Sequence, residues 1–418
     1  MSTILAYTSP SLGNLYPIAA LLSELHRRGH RIVLRTHAAG VPVGRRAGFD
    51  VSAVDPRIEA VVMTDWMART GWQGIRTGFD VFAERAVLEV GDLQAGIAAE
   101  RPDALVIDAN CWGASAVAEA HGVPWASFWP YPPYLSSTAV PPFGLGLRPR
   151  ADGFGRLRDR IVAAAVDGLI DRSMIGPLGA VYRGLGLRPI DSSDDFVRRA
   201  PLMLVATAEP FEYARPDWGD RVALIGPCEL REPDGDTGGP DVGPDPDDDR
   251  PVVLVKTSSE RQRDDVLPTT ALAALAQEPF RVLATYPCGI PEGLEIPGNA
   301  TVRGFVAHGP WLDRAVCAVT HGGMGITQKA LARGVPVCVV PFGRDQFEVA
   351  RRIDMSRSGT RLVSRRLTER RLRDKVIEAI AMTDGARRVA AGFAAAGGAP
   401  RGADVLEKRL LGLASAGG

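Results

Sequence analysis

Residues 320–346 read THGGMGITQKALARGVPVCVVPFGRDQ, and this stretch decides the fold. The apolar residues 315–319 immediately before it predict a buried strand that ends at a glycine-rich turn. A helix is predicted at about 325–333, because Gly334 follows as a stop signal, and a second buried strand at 335–340. The order strand, glycine turn, helix and strand predicts a parallel α/β unit.

The glycine-rich turn in this unit is suited to binding an anion. The N–H groups in the first turn of a helix have no partner within the helix, and the helix dipole adds partial positive charge there. A diphosphate is therefore the expected ligand. Asp345 and Gln346 open the next helical segment, where they could accept and donate hydrogen bonds to hydroxyl groups.

The segment resembles the donor-binding signature of family 1 glycosyltransferases, which are inverting enzymes that use nucleotide sugars. The matching features, over 27 residues, are His-Gly-Gly, a helix, Gly-Val-Pro, an apolar strand with proline, and Asp-Gln. Weaker similarity to bacterial enzymes of the macrolide and natural-product type extends along nearly the whole chain. The resemblance implies an α/β GT-B fold. Two Rossmann-like, doubly wound domains would face a cleft, with a C-terminal helix crossing back to the first domain.

The remaining sequence agrees with two α/β domains. Strands separated by helical segments are predicted at 3–8, 31–36, 104–108, 125–128, 252–255 and 281–285. Between the two sets, the stretch EPDGDTGGPDVGPDPDDD has Val242 as its only apolar residue, which is typical of a solvated linker. The predicted division is 1–228 for acceptor binding, 229–250 for the linker, 251–384 for donor binding and 385–418 for a helical segment that packs back on the first domain.

Composition excludes several classes of protein. Lys+Arg and Asp+Glu balance at 49 each, so no charge excess indicates nucleic-acid or membrane binding. No apolar run reaches the length of a membrane span, and the N-terminus lacks a signal peptide. The five cysteines form no CxxC pair, so no metal is expected. We expect a cytoplasmic monomer or homodimer that needs no cofactor beyond its nucleotide-sugar co-substrate.

The resemblance assigns the donor diphosphate to residues near two strand ends. His321 would donate a hydrogen bond to a phosphate oxygen if neutral, or add charge if cationic; alternatively it bonds a neighbouring carbonyl. Hydroxyl groups after the predicted strand 252–255 would contact phosphate, or else cap the next helix. The predicted set is Thr257, Ser258, His321, Gly322, Gly323, Met324, Gly325 and Ile326.

Other donor contacts also follow from the resemblance. The segment of Phe305, Val306 and His308 matches the one whose backbone reads the edge of the pyrimidine base, although Phe305 could instead belong to the core. Asp345 and Gln346 would bind the sugar. Lys329 stands where many members have a glutamate that accepts the ribose hydroxyls. Lysine cannot accept a hydrogen bond, so we expect a deoxythymidine diphosphate (dTDP) sugar rather than a uridine diphosphate (UDP) sugar.

The catalytic loop departs from the family pattern. The family base is a histidine in Gly-His-x-x-Pro, whereas this chain has Gly13-Asn14-Leu15-Tyr16-Pro17. Asn14 has no useful basicity and is a good helix N-cap, which predicts capping with or without a role in acceptor positioning. Asp108 matches the family aspartate that orients the histidine. It could act as the base itself, directly or through water, hold the acceptor, or serve only as a turn residue.

Aromatic residues in the first domain predict an acceptor pocket. The candidates are Trp66, Trp72, Trp112, Trp129 and Tyr131, although some of these side chains will belong to the core. An apolar aromatic or polyketide-like acceptor would suit such a pocket.

The sequence therefore predicts a metal-independent, inverting glycosyltransferase that acts on a small apolar natural product. Asn14 also fits transfer to nitrogen or to an activated aromatic carbon. The alternative from another class is a catalytically degenerate homologue that binds nucleotide or assists a partner enzyme, and a third is a GT-B epimerase. His321, Asp345 and Gln346 favour the enzyme, since a non-catalytic protein has no need of them.

Overall fold

The computed structural model describes residues 1–68, 70–230, 243–244 and 248–413. Most of the predicted linker 229–250, and the last five residues of the predicted segment 385–418, lie outside the described residues. The boundaries between the predicted domains therefore stay predictions.

The first half of the chain forms a seven-stranded sheet. Its strands are β1 (Thr3–Tyr7), β2 (Arg31–Thr36), β3 (Asp50–Ala53), β4 (Ala104–Asp108), β5 (Trp125–Trp129), β6 (Met203–Val205) and β7 (Val222–Leu224). The helices around it are α1 (Leu12–Arg27), α2 (Val41–Arg46), α3 (Pro56–Ala60), α4 (Gly71–Glu100), α5 (Trp112–His121), α6 (Gly153–Gly184) and α7 (Ser193–Arg198). The strand order is β3-β2-β1-β4-β5-β6-β7, with every neighbouring pair parallel.

The second half forms a six-stranded sheet. Its strands are β8 (Val252–Lys256), β9 (Arg281–Thr285), β10 (Ala300–Arg303), β11 (Ala315–Thr320), β12 (Val337–Val339) and β13 (Gly359–Arg361). The helices are α8 (Val266–Leu275), α9 (Gly309–Leu312), α10 (Met324–Ala332), α11 (Gln346–Ser356), α12 (Glu369–Ile380), α13 (Thr383–Ala396) and α14 (Gly398–Leu410). The order is β10-β9-β8-β11-β12-β13, again all parallel.

In each sheet the chain adds strands first on one side of the first strand and then on the other. This reversal of strand order confirms the predicted doubly wound topology. β1 lies between β2 and β4, and β8 lies between β9 and β11. In open α/β sheets, ligands bind outside the carboxyl ends of the strands at this reversal. The loops that follow β1, β4, β8 and β11 therefore define where a site should lie.

The C-terminal helix returns to the first domain, as predicted. Gly397 ends α13 with a φ of +90°, a left-handed conformation that favours glycine, and α14 begins at the next residue. Leu406 is fully buried in the core beside α1. Arg28, which directly follows α1, forms ion pairs of 2.7 Å with both Asp404 and Glu407 on α14.

A buried charge cluster also joins the two halves. Arg352 on α11 is 1% exposed and donates to Glu212, which follows β6, at 2.8 and 2.9 Å. Its Nη1 donates to Glu348 at 3.0 Å, and Glu348 in turn accepts the N–H groups of Gly144 and Gly146 at 3.0 and 2.8 Å. The position of α11 is thus fixed against loops of the first domain.

Within the described ranges, no helix is long and apolar enough to cross a membrane.

Candidate functional site

A cleft with an interior volume of about 190 Å³ opens between the loops of the two domains. Its apolar wall is formed by Ile75, Phe79, Phe82, Tyr131, Tyr134 and Phe143, most of them on or against α4. The polar side chains that face it include Ser9, Asn14, Arg85, Glu260, Arg344 and Asp345. Residues from both halves of the chain line this one space.

Asp108 lies at the carboxyl end of β4, directly behind the first-domain loop. It is 1% exposed and accepts hydrogen bonds from Ser9 Oγ at 2.5 Å, Ser9 N at 3.0 Å, Asn14 Nδ2 at 3.0 Å and Asn110 N at 3.1 Å. Burial raises the pKa of Asp108, while these hydrogen bonds oppose the rise. The carboxylate does not line the cleft itself but fixes the residues that do.

Asn14 is not a helix cap, and that prediction was wrong. α1 begins at Leu12 with Ser11 in the cap position, so Asn14 is the third residue of the helix. Its amide nitrogen instead reaches across to both carboxylate oxygens of Asp108, at 3.0 and 3.1 Å. Among the described residues nothing donates to the Asn14 Oδ1, so this oxygen is available to a substrate in the cleft.

Ser9 is a site residue that the sequence reasoning missed. Its hydroxyl lines the cleft and donates to Asp108, so it connects the buried carboxylate with the open space. Its place, two residues after β1 in a loop where ligands are expected, was the available signal.

The glycine turn before α10 has the geometry of an anion site. Gly322 has a φ of +96°, and a Cβ there would lie 2.9 Å from Val339, so the position requires glycine. The first N–H bonded within the helix is that of Thr327, which donates to the Gly323 carbonyl at 3.2 Å. The N–H groups of the three preceding residues, 324–326, are therefore open to a ligand. The Ile326 side chain packs in the core, leaving only its backbone for such contact.

His321 is held neutral beside this turn. It is 5% exposed, and burial together with the nearby Lys256 lowers its pKa to about 3. A neutral ring donates one hydrogen bond, so the cationic alternative does not apply at neutral pH. Its Nδ1 lies 3.8 Å from Asp264 Oδ2, beyond hydrogen-bond distance, and has no partner in the described ranges. A backbone hydrogen bond to Lys256 opposes part of the fall in the pKa, so the bond to a neighbouring carbonyl and the phosphate contact both stay predictions.

Replacing His321 with alanine is expected to weaken binding of a nucleoside diphosphate by about 10- to 150-fold. The reason is that a lost hydrogen bond to a charged group costs roughly 1.5–3 kcal/mol. Isothermal titration with dTDP measures this effect, and His121→Ala at the exposed end of α5 serves as the control. The ratio of the affinities of the unmodified protein and His321→Ala should stay constant between roughly pH 6 and 8, because the pKa of His321 lies near 3 and the titration of dTDP itself cancels in the ratio. Unchanged affinity in His321→Ala would rule out the phosphate contact.

Thr257 and Ser258 do not cap the next helix, so that alternative was wrong. α8 begins at Val266 with Asp265 in the cap position. Ser258 Oγ instead accepts hydrogen bonds from Glu260 N at 3.1 Å and Gln262 Nε2 at 2.8 Å. Thr257 Oγ1 donates to the Thr285 carbonyl at 3.3 Å. Both hydroxyls therefore shape the loop after β8, and their phosphate contacts stay predictions.

The three residues predicted to bind the base differ in exposure. Phe305 is 49% exposed, whereas Val306 is buried in the core. His308 is also buried, and burial lowers its pKa well below the ordinary histidine value. The Phe305 ring meets the His308 ring edge-on at 6.5 Å. Of the three, Phe305 offers an exposed ring face, and the contact with the nucleotide base stays a prediction.

The two residues predicted to bind the sugar have different surroundings. Asp345 faces the cleft, and burial raises its pKa to about 6. Gln346 is 1% exposed, and its Oε1 accepts the N–H groups of Phe342 and Gly343 at 2.7 and 3.1 Å. Its Nε2 donates to Gln262. Gln346 thus holds two loops together, while Asp345 is open to a ligand; both sugar contacts stay predictions.

An ion-pair bridge that the sequence did not indicate spans the cleft beside Asp345. Arg344 donates to both carboxylate oxygens of Asp65 at 2.7 and 2.9 Å, and to Glu260 at 2.8 Å. Ser11 Oγ donates to the other oxygen of Glu260 at 2.7 Å. The bridge joins loops of both domains where donor and acceptor would meet.

Most aromatic residues predicted to line the acceptor pocket lie elsewhere. Trp112 and Trp129 are 0% and 1% exposed and belong to the core between α4, α5 and α6, which corrects their assignment. Trp66 and Trp72 also lie outside the cleft wall, whereas Tyr131 is part of it. The Tyr131 hydroxyl donates to Asn110 Oδ1 at 2.5 Å. Aromatic content alone did not separate core from pocket.

Comparisons with known proteins agree with this geometry. Residues 270–409 match the family model of the erythromycin biosynthesis protein CIII-like C-terminal domain. The chain is 33% identical to 4'-demethylrebeccamycin synthase from Lentzea aerocolonigenes over 395 residues, which cover 89% of this chain and 90% of that protein. A crystal structure of the glycotransferase of kitacinnamycin has a TM-score of 0.74 and 25% identity, covering 98% of both chains. Glycosyltransferase VinC, crystallised with dTDP, has a TM-score of 0.68 and 21% identity, covering 98% of this chain and 100% of that one. The predicted GT-B fold is thereby confirmed.

Proposed function

We propose a specific reaction for this chain, which belongs to the family 1 glycosyltransferases of natural-product biosynthesis. It transfers a sugar, with inversion, from a nucleoside diphosphate sugar to a small and largely apolar acceptor. One observation carries the proposal: Ser9 and Asn14 of the first domain line the same cleft as Glu260 and Asp345 of the second. Donor and acceptor can therefore meet there.

Asp108 is the proposed base, acting through Ser9. As the acceptor oxygen attacks the anomeric carbon, its proton passes to Ser9 Oγ while the proton of Ser9 passes to Asp108 Oδ2, 2.5 Å away. The bond from the anomeric carbon to the diphosphate oxygen breaks, and the leaving diphosphate keeps that electron pair. The raised pKa of Asp108 suits it to receive a proton.

Asn14 is proposed to position the acceptor rather than to deprotonate it. Its Nδ2 is committed to Asp108, so its Oδ1 can accept a hydrogen bond from an acceptor O–H or N–H group. The same arrangement fits transfer to nitrogen or to an activated aromatic carbon, where less is demanded of a base. A hydroxyl acceptor is the case that needs Asp108 most.

The proposed donor is a dTDP-sugar, for which Lys329 is the main reason. Its ammonium group lies 4.0 Å from Glu229 Oε1, so the position supplies a cation in an ion pair and no acceptor for ribose hydroxyls. The structural neighbour crystallised with dTDP supports testing this nucleotide first.

We expect dTDP to bind at least as tightly as UDP, and Lys329→Glu to shift the preference towards UDP. A carboxylate at this position can accept the 2′-hydroxyl that UDP carries and dTDP lacks. Thermal shift and isothermal titration with both nucleotides give the ratio of affinities. Lys408→Glu, on the exposed face of α14, makes the same charge change away from the cleft. A strong preference of the unmodified protein for UDP would refute the assignment.

Turnover is the experiment that tests the proposed function as a whole. The protein is incubated with dTDP- and UDP-sugars and a panel of polycyclic aromatic and polyketide acceptors, and products are detected by mass spectrometry. We propose that no metal or further cofactor is needed, so transfer should persist in EDTA. Tight nucleotide binding without transfer to any acceptor would instead favour the degenerate, auxiliary homologue.

A further inference from the structure

Arg85 is a buried cation in the wall of the cleft, and the reaction described above does not use it. It lies on α4, three residues after Phe82, which also lines the cleft, and it is 5% exposed. Its Nε and Nη2 both donate to the carbonyl oxygen of Val61, at 3.1 and 2.5 Å. A guanidinium has five N–H groups, so this carbonyl leaves three unused.

No carboxylate in the described part of the chain forms an ion pair with Arg85. The acidic groups around it are engaged elsewhere: Asp108 with the first-domain loop, and Glu260 with Ser11 and Arg344. Glu89, one helical turn away, accepts the N–H groups of Gly113 and Ala114 at 2.8 and 3.3 Å, and burial raises its pKa to about 8. Glu89 is thus bonded to backbone groups at the start of α5 and forms no direct ion pair with Arg85.

Two other arginines, the half-buried Arg344 and the buried Arg352, have direct carboxylate partners. Arg344 and Arg352 each bond two carboxylates, and although burial opposes it, these carboxylates raise the pKa of both side chains. For Arg85 the direction is opposite, because burial lowers its pKa and no direct ion pair offsets it. A buried charge without a partner costs several kcal/mol, which a ligand of opposite charge would offset.

We propose that Arg85 binds a carboxylate of the acceptor, so that the natural acceptor is an aromatic acid rather than a neutral aglycone. This inference rests on the proposed function and names its substrate class. The planar fork of arginine matches a carboxylate in two parallel hydrogen bonds, and the surrounding apolar wall excludes water that would weaken them. The donor diphosphate is an unsuitable occupant, because its site lies at the turn before α10 in the other domain.

The test compares acids with their methyl esters, using hydroxybenzoate, hydroxynaphthoate and hydroxyanthracene carboxylate as probes. Isothermal titration is done in the presence of dTDP. The unmodified protein should bind at least one acid about tenfold or more tightly than its ester, since a charged hydrogen-bond pair is lost in the ester. Arg85→Met should abolish this preference, and Arg85→Lys should retain part of it. The acid-to-ester ratio reports on Arg85 even if a variant is less stable.

Arg76→Met is the matched control, because it removes the same charge from an exposed position on the same helix. It should leave the acid-to-ester ratio unchanged. Equal binding of acid and ester by the unmodified protein, absence of acid binding, or an acid preference that survives Arg85→Met would each overturn the proposal. A failure of dTDP to bind the unmodified protein would count against the proposed function itself, which separates the two conclusions.

Discussion

Replacing Asp108 with asparagine is expected to lower kcat for transfer to a hydroxyl acceptor by about 10²–10⁴-fold, the usual contribution of a general base. Nucleoside diphosphate binding should be unchanged, because Asp108 lies in the first domain, away from the turn before α10. The amide cannot receive the proton that Ser9 passes on. Steady-state kinetics with a hydroxyl acceptor and titration with dTDP measure the two quantities.

The pH dependence distinguishes a base from a residue that only supports the loop. Asp108 must be ionised to act, and burial raises its pKa, so kcat/KM should fall as the pH drops through a value above the ordinary aspartate range. This acidic limb should disappear in Asp108→Asn. Ser9→Ala keeps the carboxylate and removes the relay, so it should lower kcat while leaving donor binding intact.

Asp103→Asn is the control for Asp108→Asn. Asp103 precedes the other end of β4, is exposed, and accepts the N–H of Thr3 at 2.7 Å. Its replacement should leave turnover unchanged. If Asp108→Asn is fully active, the acceptor needs no protein base or finds it elsewhere, and the assignments of the base and of the Ser9 relay both fail.

The donor-domain unit could be predicted from sequence because its signals are local. Buried strands and the glycine stop at 334 are encoded by adjacent residues, so β11 and α10 were predicted to within one residue at each end. β12 is shorter than the predicted 335–340, since it spans Val337–Val339. Pro336 just before it has no N–H to donate to a ladder.

The acceptor side could not be predicted as well, because its features depend on tertiary packing. The wall of the cleft comes largely from α4, and the same aromatic residue types fill both this wall and the core behind it. Trp112 and Trp129 were therefore indistinguishable from pocket residues in the sequence. Asn14 was predicted to be a cap from its residue type, whereas the helix begins two residues earlier.

Contacts between the domains had no sequence signal at all. Arg344 and Asp65 are 279 positions apart, and Arg352 and Glu212 are 140 apart. Charged residues usually indicate solvent-exposed surface, so nothing in the pattern suggested that Arg352 would be 1% exposed. Such pairs depend on how the two sheets pack against one another, which local sequence patterns do not encode.

Replacing Arg352 with methionine is expected to lower the free energy of unfolding by about 3–5 kcal/mol, because the buried Glu348 loses its cationic partner and the buried Glu212 keeps only Arg215. Glu212 and Glu348 are 2% and 6% exposed, and both bond Arg352 directly. Although burial alone would raise it, Arg352 holds the pKa of Glu212 below its ordinary value. This contribution is therefore present above the ordinary glutamate pKa and is lost as the pH falls from there through the lowered pKa of Glu212. Urea unfolding followed by circular dichroism measures the change.

Two further variants decide whether the buried charge is the cause. Arg387→Met removes an arginine whose side chain is 73% exposed, and it should change stability by less than about 0.5 kcal/mol. Combining Arg352→Met with Glu348→Gln should recover part of the loss, because Glu212 keeps its ion pair with Arg215 at 3.2 Å and no buried carboxylate is then left unpaired. If this double variant is no more stable than Arg352→Met alone, packing or hydrogen bonding by the arginine explains the effect instead. Glu348 also anchors the loop through Gly144 and Gly146. A stable double variant with reduced turnover would therefore locate the functional role of the cluster in holding α11, and with it Asp345, against the first domain.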